Sequence, residues 1–219
     1  RSGTYTAIIT YAGNTKYNPA STNITFDAKA DTLNTTLTVD NVTTTYNSGA
    51  NIKATLKDEN SNAVSDAEIT FKIGSTTLTA ITDAEGVAAV SVDGINPNTY
   101  NANIVFSGND DYNGATSTAT VTISKADTTI DAPDTSVAYT DKNGAFIATL
   151  INYESSKAIS GVTVVVNING TKQSLKTDSN GQIKVSTAEW ALGNYTAVIT
   201  YAGNTKYNPA STNITFDAK

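Results

Sequence analysis

A period of 95 residues runs through the 219-residue chain and constrains its fold more than any other feature. Tyr5-Thr6-Ala7 returns as Tyr100-Asn101-Ala102 and again as Tyr195-Thr196-Ala197. Thr82-Asp83-Ala84-Glu85-Gly86 returns as Thr177-Asp178-Ser179-Asn180-Gly181. Lys29-Ala30-Asp31-Thr32 matches Lys125–Thr128, at a spacing of 96. A fixed period with turn residues held in place is the mark of tandem domains. The expected division is 1–29, the last two strands of a preceding domain, then full domains at 30–124 and 125–219.

Within each period the signals are those of strands. Tyr195, Ala197, Ile199 and Tyr201 alternate with Thr196, Val198 and Thr200, and Val162, Val164, Val166 and Ile168 form a second period-two row. That row runs into Asn169-Gly170, a two-residue hairpin signal, with Gly74-Ser75 at the matching place. Asn180-Gly181 and Glu85-Gly86 mark a later turn. About seven short strands per period predict an all-β chain of tandem antiparallel β-sandwiches.

The copies are unequal. Residues 9–29 are identical to 199–219, whereas 104–124 keeps only scattered matches such as Gly108, Asn109, Tyr112 and Asn113. This implies a higher-order repeat of about 190 residues built from two unlike domains. It also leads us to expect a window on a longer array, cut out of register with its domains. Residues 1–29 should then complete a sandwich whose other strands lie outside the two full domains. Arg1-Ser2 has no counterpart in the repeats and reads either as an added scar or as native sequence.

Composition removes several function classes. The chain has no Cys, His or Met, so thiolate, imidazole and thioether metal sites and Ser-His-Asp or Cys-His catalysis have no residues to work with. No disulfide can form. The net charge is −6 and Arg1 is the only arginine, so no basic stripe for nucleic acid is present. No apolar run approaches the length of a membrane-spanning helix, so direct membrane insertion is not expected. No cofactor is implied.

Tyr201-Ala202-Gly203-Asn204 through Thr212, the Thr-Asp-x-x-Gly turn and the Gly-x-Tyr strand start resemble bacterial immunoglobulin-like domain repeats. Such repeats occur in adhesin-like surface proteins of bacteria and methanogenic archaea. The resemblance covers both full domains and the opening fragment. Gly193-Asn194-Tyr195-Thr196-Ala197 is similar to the tyrosine-corner region of immunoglobulin-like domains, with Ala197 where antibodies place a disulfide cysteine. Tyr100 and Tyr5 repeat the arrangement. The first full domain departs from the pattern at Gly114, where the others have Pro19 and Pro209. The resemblance implies immunoglobulin-like sandwiches in an extracellular, cell-surface stalk, adhesin or filament. It carries no catalytic residues.

Candidate sites each have a structural alternative. Six N-glycosylation sequons, at Asn23, Asn34, Asn41, Asn169, Asn194 and Asn213, are about what chance gives for this composition. Asn169 and Asn194 sit at turns and would be the accessible ones. Asp58 with Asp66, and Asp110 with Asp111, could supply hard oxygen ligands to calcium or simply close solvated turns. An internal isopeptide crosslink lacks a lysine inside the first strands, since Lys29 and Lys125 fall in linkers and Lys53 on an outward phase. Trp190 either plugs the end of a sandwich, as Ile95 would in the other domain, or offers a stacking face to sugar.

The expected function is a non-enzymatic rod of tandem domains. Short linkers without Gly or Pro should restrict hinging, with little surface shared between the two domains. Its expected partners are copies of itself or neighbouring repeats. The alternative is a module that recognises glycan or protein through loops at the sandwich ends.

Overall fold

The computed structural model describes residues 3–28, 31–132, 136–137, 144–187 and 190–218. Among these the regular elements are strands.

Strands β1 (Gly3–Tyr11) and β2 (Ala20–Ala28) pair antiparallel as a separate two-stranded sheet. The first sandwich contains β3 (Thr35–Val39), β4 (Val42–Thr45), β5 (Asn51–Asp58), β6 (Glu68–Ile73), β7 (Thr76–Ile81), β8 (Val87–Ser91), β9 (Asn98–Phe106) and β10 (Ala115–Ser124). Its sheets run β3-β5-β8 and β4-β10-β9-β6-β7. The second contains β11 (Thr128–Asp131), β12 (Ser136–Val137), β13 (Ala145–Asn152), β14 (Thr163–Ile168), β15 (Thr171–Lys176), β16 (Gln182–Ser186), β17 (Gly193–Tyr201) and β18 (Ala210–Ala218). Its sheets, β11-β13-β16 and β12-β18-β17-β14-β15, repeat the same order. Pairing is antiparallel except for β4 on β10 and β12 on β18, where the chain's entering segment switches sheets and runs parallel to the last strand. This is the immunoglobulin-like arrangement.

Alternation builds each core. Ile52, Ala54 and Leu56 of β5 point inward while Lys53 and Lys57 face solvent, and Phe71, Ile104 and Val121 meet them from the other sheet. In the second sandwich Phe146, Leu150, Val164, Val166, Ile199 and Phe216 do the same.

The repeated turn motif has a steric cause. Asp83 Oδ1 accepts N–H bonds from Glu85 and Val87, and Asp178 Oδ1 accepts them from Asn180 and Gln182. The following glycines have positive φ, and a Cβ on Gly86 or Gly181 would meet the carbonyl oxygen of Leu56 or Leu150 at 2.5 or 2.6 Å. Only glycine fits there.

Matching bridges mark where each sandwich begins. Parallel bridges tie Leu33 to Tyr112 and Ala126 to Tyr207, so Ala126 stands where Leu33 does. The bridge to the domain's own late loop sets the strand start, and the connection into the first sandwich is longer than the one into the second. Tyr100 and Tyr195 are partly buried, each packed against its own core. Each ring lies on its core while its hydroxyl donates to a carbonyl four residues upstream, Asn96 at 2.8 Å and Ala191 at 2.9 Å. That bond is the tyrosine-corner geometry.

Candidate functional site

Two places gather side chains from distant parts of the chain: a joint between the sandwiches and a cleft at the far end of the second one.

The joint brings loops at one end of the first sandwich against loops at the opposite end of the second. The Thr-Lys-Tyr-Asn loop between β17 and β18 is shaped by Asn204, whose Oδ1 accepts from the N–H groups of Lys206 and Tyr207. This presents Tyr207 edge-on to Tyr46 of the first sandwich, with ring centroids 5.4 Å apart, and sets Lys206 Nζ 5.1 Å from the Tyr46 centroid. Burial, then the neighbouring Tyr46, pushes the Tyr207 phenol pKa up. The linker residue Ala126 is fully buried, its N–H donating to Lys206 and its carbonyl accepting from Asn208. At the rim Lys157 pairs with Asp93 at 2.8 Å, and Thr45 donates to Glu154. Desolvation raises the Asp93 pKa, but the Lys157 ammonium and the Gly49 N–H together hold it below the usual carboxylate range.

Asn152 is the centre of this joint. It is buried, and its Oδ1 closes its own turn by accepting from Glu154 and Ser155. Its Nδ2 donates across the joint to the Tyr46 carbonyl at 3.0 Å. The matching residue of the first sandwich is Asp58, since β3 pairs Thr35 with Asp58 as β11 pairs Thr128 with Asn152. Asp58 turns inward on its own loop, accepting from the N–H of Asn60 and both N–H and Nδ2 of Asn62. The Asn62 side-chain bond leads in lowering its pKa. A carboxylate can only accept, whereas the amide can accept and donate at once, and the second role spans the joint. Asn152, Tyr46 and Tyr207 thus make a specific contact between the two sandwiches.

The cleft encloses about 500 Å³ and is lined by Ile168, Asn169, Thr171, Gln173, Ser186, Trp190 and Tyr195. In the first sandwich Gly74 starts the β6–β7 turn so close to Tyr100 that a Cβ would meet the ring at 2.9 Å. In the second sandwich Asn169 stands at that place in the sequence and lines the cleft with Tyr195. Trp190 packs at a tilt against Tyr195 and Phe216, with centroids at 4.8 and 5.1 Å, and also lines the cleft. Ile95 is buried in the first sandwich.

The other sequence candidates do not converge. Asp66 and Asp110 are exposed, and Asp111 offers its backbone carbonyl to Leu33. Among the described residues no group of three acidic side chains is placed to hold a metal ion. Asn169 and Asn194 are both exposed, and Asn169 Oδ1 accepts from the Thr196 N–H at 3.4 Å. Tyr5 stacks on Phe26 at 6.0 Å on an exposed hairpin. Lys53 and Lys125 are exposed, and Lys29 lies outside the described residues. Sequence reading missed Tyr46, Asn152 and Tyr207. The signal available was the change from Asp58 to Asn152 at equivalent turns.

No protein-family model matches the chain, and no curated protein matches it. Among solved structures it is similar to a tetra-tandem repeat from the extending region of a large adhesion protein, at 15% identity and TM-score 0.40, covering 100% of this chain and 57% of that one. It is also similar to a 1.5-MDa bacterial ice-binding adhesin, at 18% identity and TM-score 0.34, covering 99% and 75%. The adhesin InvE of Yersinia pseudotuberculosis matches at 19% identity and TM-score 0.34, covering 82% and 58%.

Proposed function

We propose that the chain is a non-enzymatic segment of an extracellular, cell-surface stalk or filament of the adhesin-like kind, in which sandwiches at 30–124 and 125–219 are set end to end as a spacer. The observation that carries this reading is the joint. Asn152, Tyr46 and Tyr207 hold one sandwich to the next by a buried hydrogen bond and an aromatic contact, which suits a rod of restricted hinging. The tandem repeat and the motif resemblance support it further. Residues 1–29 belong, in this reading, to a preceding sandwich.

Asn152→Asp tests the joint. The new carboxylate would face the Tyr46 carbonyl with no proton to donate, at a cost of about 2–3 kcal/mol. Small-angle scattering should then show a broader distribution of inter-sandwich distances than the parent chain. Identical scattering from the two chains contradicts the rod.

The cleft favours a second reading, a module that binds glycan, because Trp190 and Tyr195 stand beside the amides of Asn169 and Gln173. Trp190 emission that shifts saturably with an oligosaccharide supports it. An unchanged emission across a panel of oligosaccharides leaves the spacer reading alone.

A further inference from the structure

The β1–β2 hairpin exposes Ile9, Tyr11, Ile24 and Phe26 on one face, and among the described residues its strands pair only with each other. The same hairpin occurs at β17–β18, where it is covered. The two differ only at Thr4 against Asn194 and Ile8 against Val198. Both differences fall on the phase of β17 that faces away from the core, so every core-facing residue is the same. The registers also agree: Tyr5↔Phe26 and Tyr11↔Ala20 repeat as Tyr195↔Phe216 and Tyr201↔Ala210. The loops agree as well, with Asn14 Oδ1 accepting from Lys16 and Tyr17 as Asn204 does from Lys206 and Tyr207.

We infer that residues 3–28 form a preassembled docking element for a second copy of this chain, able to take the place of β17–β18 beside β11, β13, β14, β15 and β16 wherever that resident hairpin is displaced. In that position β1 would pair with β14, and Phe26 would lie against Phe146 and Trp190, the contacts Phe216 makes now. This is exchange of an identical element between protomers. The described chain holds three such hairpins, at β1–β2, β9–β10 and β17–β18, but only two sandwiches to take them. Exchange between intact copies therefore frees one hairpin for each one docked and gains nothing. Docking shows itself once the resident hairpin is disabled. The docking holds whether or not the chain is a stalk, whose joint is tested separately by scattering.

The test uses the full chain carrying Ile214→Asp and Phe216→Asp, which place two carboxylates in the core of the second sandwich. The unmodified hairpin at 3–28 should displace the charged one. The expected result is blue-shifted, native-like emission from Trp190, the only Trp, and sedimentation as head-to-tail oligomers that grow with concentration. Adding Phe26→Asp should red-shift the emission and return the protein to monomer. Trp190 emission that Phe26→Asp leaves unchanged overturns the proposal, and so do oligomers that persist in the triple variant.

Discussion

Residues 3–28 and 193–218 are nearly one sequence in two surroundings. Phe26 is 51% exposed and Phe216 3%; Ile9 is 55% exposed and Ile199 fully buried. Yet strand limits, register and loop hydrogen bonds coincide. The hairpin's shape is thus written locally, in alternation and in the Gly-Asn loop, while burial is a property of what the rest of the chain brings to it. Energy follows burial, so identical residues should carry very different weight.

The sharpest way to break this comparison is the same substitution in both places. Phe216→Ala should destabilise the second sandwich by about 3–5 kcal/mol, and Phe26→Ala should change its melting by less than about 0.5 kcal/mol. Equal effects in thermal unfolding would mean that the exposed hairpin is covered in solution. A smaller contrast is expected at the loops. Tyr207 packs against both cores, whereas Tyr17 is 67% exposed. Tyr207→Ala should lower stability by about 1–3 kcal/mol and separate the melting of the two sandwiches, with Tyr17→Ala silent. Calorimetry showing unaltered coupling after Tyr207→Ala would assign the joint to Asn152 alone. The smallest contrast concerns a hydroxyl. Tyr201 is buried, its phenol pKa is raised by desolvation, and its oxygen has no hydrogen-bond partner among the described residues. The first sandwich has Phe106 at this place. Tyr201→Phe should stabilise by up to about 1 kcal/mol, and Tyr11→Phe should do nothing measurable.

Much of this architecture is legible in the sequence because it is periodic or sterically exclusive. Period-two rows place β5, β14 and β17, and Gly86 and Gly181 mark turns that no other residue enters. The joint is neither. Tyr46, Asp93 and Tyr207 are single residues in separate loops, Asn152 ends β13, and no short window of sequence contains two of them. Asp58 drew notice as a carboxylate, while its amide counterpart Asn152, which makes the inter-sandwich bond, looked like an ordinary turn residue. The cleft was hidden for a related reason: Gly74-Ser75 and Asn169-Gly170 both read as competent hairpin turns, and neither dipeptide shows that its turn lies by a tyrosine ring.

The parallel pairing of β4 with β10 bears on tension. Val42 to Thr45 lie beside Val121 to Ser124 in register, one segment near the chain's entry into the first sandwich and the other at its exit. Pulling the sandwich by those two ends slides the strands past each other. Every hydrogen bond of the pair is then strained together in shear, instead of opening one after another from an end. Resistance of this kind resides in the rate of forced unfolding and can be high where equilibrium stability is ordinary.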